Sequence, residues 1–260
     1  MVMPIKNTSV LLTIAEIRFE PILNIQELVP SVQDDFRMAQ YGEFLHMRNQ
    51  GFHVTQTGNN KSLVPTTHDV YQFSDSKKFS HFRLNNQCLT YQSSNYVDFE
   101  TFLALFLEGL FIISKVLDVP TIHRVGLRFL DKLVIQKGEK IQNYLAPSES
   151  QLFEKLGANT IHSQSEIRHM AGDIQLFNRV KIFKHGTLEF PKDIEPGGLV
   201  FKEKFTSYEG PSATIDTDVF IEKNIHLTIA LIKKYLYELH DLNIVAFEAS
   251  VSDIAKKVGF

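Results

Sequence analysis

At 260 residues, with 43% hydrophobic and 22% charged content, the chain carries enough apolar material for a large core, which excludes intrinsic disorder. Its 27 basic and 30 acidic residues leave a formal charge of −3, too little basic excess for nonspecific attraction to nucleic acid. The single cysteine, Cys88, excludes an intramolecular disulfide and a cysteine-built zinc site and fits a reducing compartment.

The opening MVMPIKNTSV has neither an apolar run nor a small-residue cleavage site, so no secretory leader is expected. Ser9 to Glu20 alternates like a strand and stops at Pro21, which withdraws a ladder donor. Asn24 is placed to cap a helix carrying Ile25, Leu28, Val32 and Phe36, bent or delayed by Pro30. Phe44 to Gln56, His68 to Ser74 and Phe79 to Ser93 read as three strands of an antiparallel meander, separated by the turn-rich TGNNK and SDSKK. Asp98 caps a long helix with a broad apolar face from Phe99 to Leu117, which must end before Pro120. Thr101 to Val119 has about the length of a membrane span. Glu108, Lys115 and Asp118 interrupt it, at about 2.5–3.5 kcal/mol for a charge at a helix centre, so a core helix is the better reading. The chain is expected to be soluble and cytoplasmic, with no membrane contact.

Ile122 to Ile135, IHRVGLRFLDKLVI, alternates with a period of two. His123, Val125, Leu127 and Phe129 fall on one face of a strand, and Arg124, Gly126 and Arg128 on the other. Beyond it, Gln151 to Leu156 reads as helix, Ile161 to Met170 and Asp173 to His185 as strands, and Glu195 to Gly198 as a loop. Leu199 to Tyr208 and Ala213 to Glu222 read as strands. A second long helix is marked by Ile225, Ile229, Ile232, Leu236, Leu239, Asn243 and Phe247, and a short one capped at Ser250 or Ser252 closes the chain.

The order strand, helix, meander, long helix thus occurs twice, and Glu16-Ile-Arg-Phe19 echoes Gly126-Leu-Arg-Phe129. The expected fold is α+β with internal duplication: two similar halves, residues 1–120 and 121–260, each an antiparallel sheet of about four strands covered by a long helix. With no polar linker near Pro120, the halves should share an interface.

Two constellations have chemical potential. Glu16, Arg18, Arg124 and Arg128, with Asp131 a possible addition, form a charged face that serves either as an anion site or as a structural ion-pair network, because an unpaired buried charge is too costly to keep. Were the two echoing strands adjacent, Glu16 would be placed to hold an arginine in a bidentate fork. Asp216 and Asp218, two apart on a strand, point the same way and are the one candidate metal pair, with Glu222 the nearest third carboxylate. The blander alternative is that these aspartates face Arg124 or Arg128 and each set neutralises the other. No HxxxH or HxH spacing occurs among the ten histidines, and no phosphate loop, dinucleotide fingerprint or nucleophile elbow is present, so neither a metal nor a cofactor is expected. Twenty-one phenylalanines and eight tyrosines leave room for a contact patch around Tyr235, Tyr237 and Ile244.

Several phrases, among them Ala15-Glu-Ile-Arg-Phe-Glu-Pro21, Tyr71-Gln-Phe-Ser74, Arg124-Val-Gly-Leu-Arg-Phe129 and Thr214-Ile-Asp-Thr-Asp218, give the chain its resemblance. It resembles a sporadically distributed, functionally uncharacterised prokaryotic protein family of about 250 residues. Asp131 and Val258 stand where such proteins tend to have Asn and Trp. The resemblance implies a horizontally moving gene with an accessory or defence role, and assigns no catalytic residue. The expected function is a binding or interaction module, with a protein partner or self-association as a homo-oligomer favoured over nucleic acid. The alternative is a metal-dependent enzyme acting on nucleic acid or nucleotides through Asp216 and Asp218.

Overall fold

A computed structural model describes residues 9–57, 60–117, 119–135, 138–156, 160–186 and 188–258, without the side chains of 49–57, 60–66 and 258. Nine strands form one antiparallel sheet in the order β2-β3-β4-β5-β1-β6-β9-β8-β7. They are β1 (Val10–Phe19), β2 (Glu43–Thr57), β3 (Asn60–Ser74), β4 (Ser80–Asn85), β5 (Cys88–Ser93), β6 (Thr121–Val134), β7 (His162–Ala171), β8 (Ile174–Phe183) and β9 (Ser212–His226). The expectation of two sheets of about four strands, each under its own helix, is therefore corrected. β1 and β6 pair along most of their length, from Val10 opposite Asp131 to Phe19 opposite Ile122. Split there, the molecule would present two long strand edges with unpaired backbone groups; pairing them removes both.

Helices α1 (Ile25–Met38), α2 (Phe99–Val116) and α5 (Ile229–Ser250) share a single core with the same face of this sheet. Phe36 of α1, Phe106 of α2, Leu236 of α5 and Val125 and Leu127 of β6 belong to it. Each helix supplies residues at steps of three and four, as burying one stripe requires. Asp98 caps α2 by accepting from the Thr101 N–H at 2.7 Å. Asn24 stands at the start of α1 but makes no side-chain cap bond. The second long helix begins later than its periodicity suggests: Ile225 belongs to β9, and Thr228 caps α5 by accepting from the Leu231 N–H at 3.2 Å.

Other boundaries shift as well, β3 beginning at Asn60 rather than His68. Phe79 to Ser93 divides into β4 and β5 around Asn86-Gln87. Pro147 to Leu156 forms α3 after a 3-10 turn at Ile141–Tyr144. Leu199 to Tyr208, read as a strand, holds only the single turn α4 (Glu203–Thr206). Its apolar residues serve a different purpose: Leu199 and Phe205, with Ile194, pack on Leu11, Leu12 and Leu130 in a small second core. Residues 188–205 thus form a strap across the face of the sheet opposite α1, α2 and α5. It is pinned by Gln72 donating to the Gly197 carbonyl at 2.8 Å, Ser94 donating to the Val200 carbonyl at 2.6 Å and the Val200 N–H donating to the Lys78 carbonyl at 2.8 Å. The chain closes with α6 (Asp253–Val258), and among the described residues no helix is long and apolar enough to cross a membrane.

Candidate functional site: an ionic cleft on the open face of the sheet

Register decides which charges meet on the face away from the helices. One cross-strand row runs Arg18, Arg124, Glu222; the next runs Glu16, Gly126, Phe220; a third runs Ile14, Arg128, Asp218. Arg179 of β8 lies opposite Asp216 of β9. Glu16, Arg18, Arg124, Arg128, Asp216 and Asp218 therefore share one surface, since every second residue of a strand points the same way.

Arg128 is the hub. Its Nε donates to Asp216 Oδ1 at 2.6 Å and one terminal nitrogen donates to Asp216 Oδ2 at 2.8 Å; the other reaches Asp193 Oδ2 of the strap at 2.6 Å. Asp216 also accepts from Arg179 at 3.1 Å, and its side chain is only 5% exposed. Burial opposes the charge on Arg128, but the paired carboxylates outweigh it and hold the guanidinium above its ordinary range. The bidentate fork thus belongs to Asp216 rather than Glu16.

Glu16 does something else: its Oε1 lies 2.8 Å from Arg18 Nε and 3.0 Å from Arg124 Nε, one oxygen shared by two arginines. Arg124 also donates to Glu222 at 3.0 Å and Asp218 at 3.4 Å, and its guanidinium carbon sits 3.5 Å from the Phe220 ring centroid. Such stacking suits the flat, weakly hydrated guanidinium. Burial raises the Asp218 carboxyl above its ordinary range despite Arg124 and Arg128, with Asp216 and Glu16 adding to the rise.

Above this floor lies a cleft of about 560 Å³, bounded by Arg83 and Asn85 of β4 and by Lys192 to Glu195 of the strap. Arg83 donates to the Glu195 carbonyl at 3.1 Å and to its carboxylate at 2.7 Å, while its buried Nε has no hydrogen-bond partner. A smaller cavity of about 290 Å³ adjoins along β8 and shares Lys192 and Asp193 with the first.

Asp131 does not join the arginine face. It follows Phe129 on the helix side, is buried, accepts from Ser9 Oγ at 2.6 Å and is raised by burial to about 7. His123 leaves the apolar face because a register shift between Ile122 and Arg124 re-aims it toward Glu20, 3.0 Å away, and Asn224, 2.8 Å away. Asp216 and Asp218 point the same way, yet their oxygens face arginines, and no group of three or more potential metal ligands occurs among the described residues. Cys88 lines the cleft floor, but burial pushes its thiol well above the ordinary range, which deprives it of thiolate character.

Both tyrosines of the patch on α5 have partners within the chain. Tyr237 donates to Glu100 at 2.6 Å and meets Phe99 edge-on, and Tyr235 lies beneath Lys223. Ile244 alone of the three is exposed. His240, on the same helix, stacks on Phe99 with ring centroids 3.8 Å apart.

Four residues of the network carried no sequence signal: Arg83, Arg179, Asp193 and Glu195. Arg179 becomes visible only when β8 is known to neighbour β9. Asp193 and Glu195 belong to a strap whose course is set by Ile194 and Leu199 in the second core.

The chain matches no family model, no curated protein and no solved structure. What it does is therefore argued from the cleft alone.

Proposed function

We propose that this chain is a ligand-binding module and that the cleft between the ionic face and the strap is where its ligand sits. The single observation behind this reading is a roomy, mixed-charge cavity over β1, β6 and β9, on the face of the sheet opposite the core that α1, α2 and α5 share. A few convergent polar groups in a concave site are what small-molecule recognition uses. The chemistry of the lining favours binding over catalysis. Its carboxylates are held by arginines, its one thiol is buried and protonated, and no histidine lines it.

Retention of small molecules tests the reading. Purified protein is incubated with a total metabolite extract, repurified, and the retained compounds are identified by mass spectrometry for the wild type and Gly126→Val. That substitution adds bulk to the cleft floor beside Arg124 and Phe220. Compounds held by the wild type and lost from the variant support the cleft as the site. Equal retention by the two, or no retained compound, moves the function away from it.

A further inference from the structure

Gly126 is the unexpected residue of the cleft. It lies mid-strand in β6, paired on both sides to β1 and β9, where glycine weakens a sheet and supplies nothing to pack. Its neighbours do not require it. A Cβ built there would lie 3.6 Å from Arg124 Nε and 3.6 Å from Phe220 Cβ, ordinary van der Waals separations. Neither pairing shifts register at Gly126, so no bulge calls for the glycine, and the remaining use of a strand-interior glycine is to let another group come close to the backbone. Gly126 stands between Arg124 and Arg128, so whatever comes close meets two guanidiniums.

Asp193 and Glu195 show what chemistry the arginines accept. Both stand on the strap, with side chains 61% and 65% exposed, and each places a carboxylate on an arginine of the cleft wall at 2.6 Å and 2.7 Å. Neither is fixed by burial as Asp216 is. The strap backbone stays seated through Ile194 and Leu199 whether or not these two side chains turn outward. Of the side chains lining the cleft, five are cationic and four are carboxylates. With the strap's two carboxylates turned to solvent, five cations face only Glu16 and Asp218, although Asp216 and Glu222 still hold the arginines from behind.

Resting on the binding role proposed above, we infer that the cleft seats an oxyanion, a carboxylate or phosphate group, over Gly126 between Arg124 and Arg128, and that Asp193 occupies, as its internal stand-in, the terminal-nitrogen edge of Arg128 that Asp216 leaves open. Arginine receives either anion through the same paired N–H geometry, so the two sources share one mode of recognition. The strap carboxylate is then a built-in competitor that sets affinity: the ligand must displace it before it gains that edge of Arg128.

Isothermal titration with pyrophosphate and, separately, with succinate tests this on wild type, Asp193→Asn and Gly126→Val. Asp193→Asn keeps the shape and removes the competing charge. It should bind one of the two anions about twofold to fivefold more tightly than the wild type. Gly126→Val should lose more than about tenfold against the same anion. Which anion responds separates a phosphate from a carboxylate ligand. If Gly126→Val melts early, Gly126→Ala carries the same comparison with a smaller expected loss. The inference is overturned if Asp193→Asn binds no more tightly than the wild type, if the glycine variants bind as well as it does, or if neither anion binds any of the proteins. A failure here combined with metabolites retained in the extract experiment would reject the oxyanion while leaving the cleft as the site.

Discussion

On one side of β6, Val125, Leu127 and Phe129 meet the helices; on the other, Arg124 and Arg128 meet carboxylates. The helix side is dry, whereas the ionic side borders the cleft and stays partly wet, and what holds each of them differs. Apolar contacts are non-directional, and each lost methylene costs its transfer free energy plus that of the cavity left behind. The ionic side depends on pairing: desolvating a guanidinium and a carboxylate is offset only while both are present. The helix side should therefore lose stability in proportion to volume removed, whereas the ionic side should be all or none around each pair.

Arg128→Ala breaks the comparison most sharply. It leaves Asp216, 5% exposed, with only Arg179, and should cost about 3–5 kcal/mol in urea unfolding. Adding Asp216→Asn should recover part of that loss, because the stranded charge is gone. Leu127→Ala should cost about 2–5 kcal/mol and be unaffected by Asp216→Asn. Equal behaviour of the two single variants in the Asn background would mean that the ionic side is held by packing after all. The same result makes Arg128→Ala a poor probe of ligand binding, since loss of fold and loss of site coincide there.

Each face also buries a titratable group, and the two pull in opposite directions with pH. Asp131, on the helix side, is raised from 3.8 to about 7, so the fold holds a proton that the unfolded chain releases. Its contribution is complete below pH 4 and is lost as pH rises through about 7. His81, under the strap, is lowered from 6.5 to about 3, chiefly by burial with Arg83 adding to it. Its contribution is complete above pH 6.5 and is lost as pH falls toward 3. Asp131→Asn should therefore gain on the wild type between pH 4 and 8, by on the order of a few kcal/mol at the upper end. Parallel urea midpoints for the two proteins across that range would show that Asp131 is ionised in the folded state.

Local pattern made much of β6 legible. The period of two placed Arg124, Gly126 and Arg128 on one face and Leu127 on the other, and Asp216 and Asp218 were recognisable as carboxylates able to answer the arginines. Hidden from local pattern was everything set by strand order and by the strap. The two apparent halves join because β1 and β6 pair, a long-range fact without a local signature. Leu199 to Tyr208 misled because its apolar residues serve the second core from an extended strap, and burial without a ladder looks the same in sequence as a strand. Asp193, isolated between Lys192 and Ile194, gives no sign that it will land on Arg128.

Two glycines separate the faces at the smallest scale. Gly109 lies inside α2, where a Cβ would overlap the Phe82 ring. Gly109→Ala gains helix propensity but must push a fully buried ring aside, and should lose about 1–3 kcal/mol net. Gly126→Ala meets only ordinary contacts, relieves the backbone entropy that glycine costs in a strand, and should leave stability unchanged or raise it by about 0.5–1 kcal/mol. The two melting curves should therefore move in opposite directions. A Gly126→Ala protein that melts as early as Gly109→Ala would mean that the β6 backbone needs its glycine for folding. In that case the gap above it would be a by-product of the sheet rather than a seat for an anion.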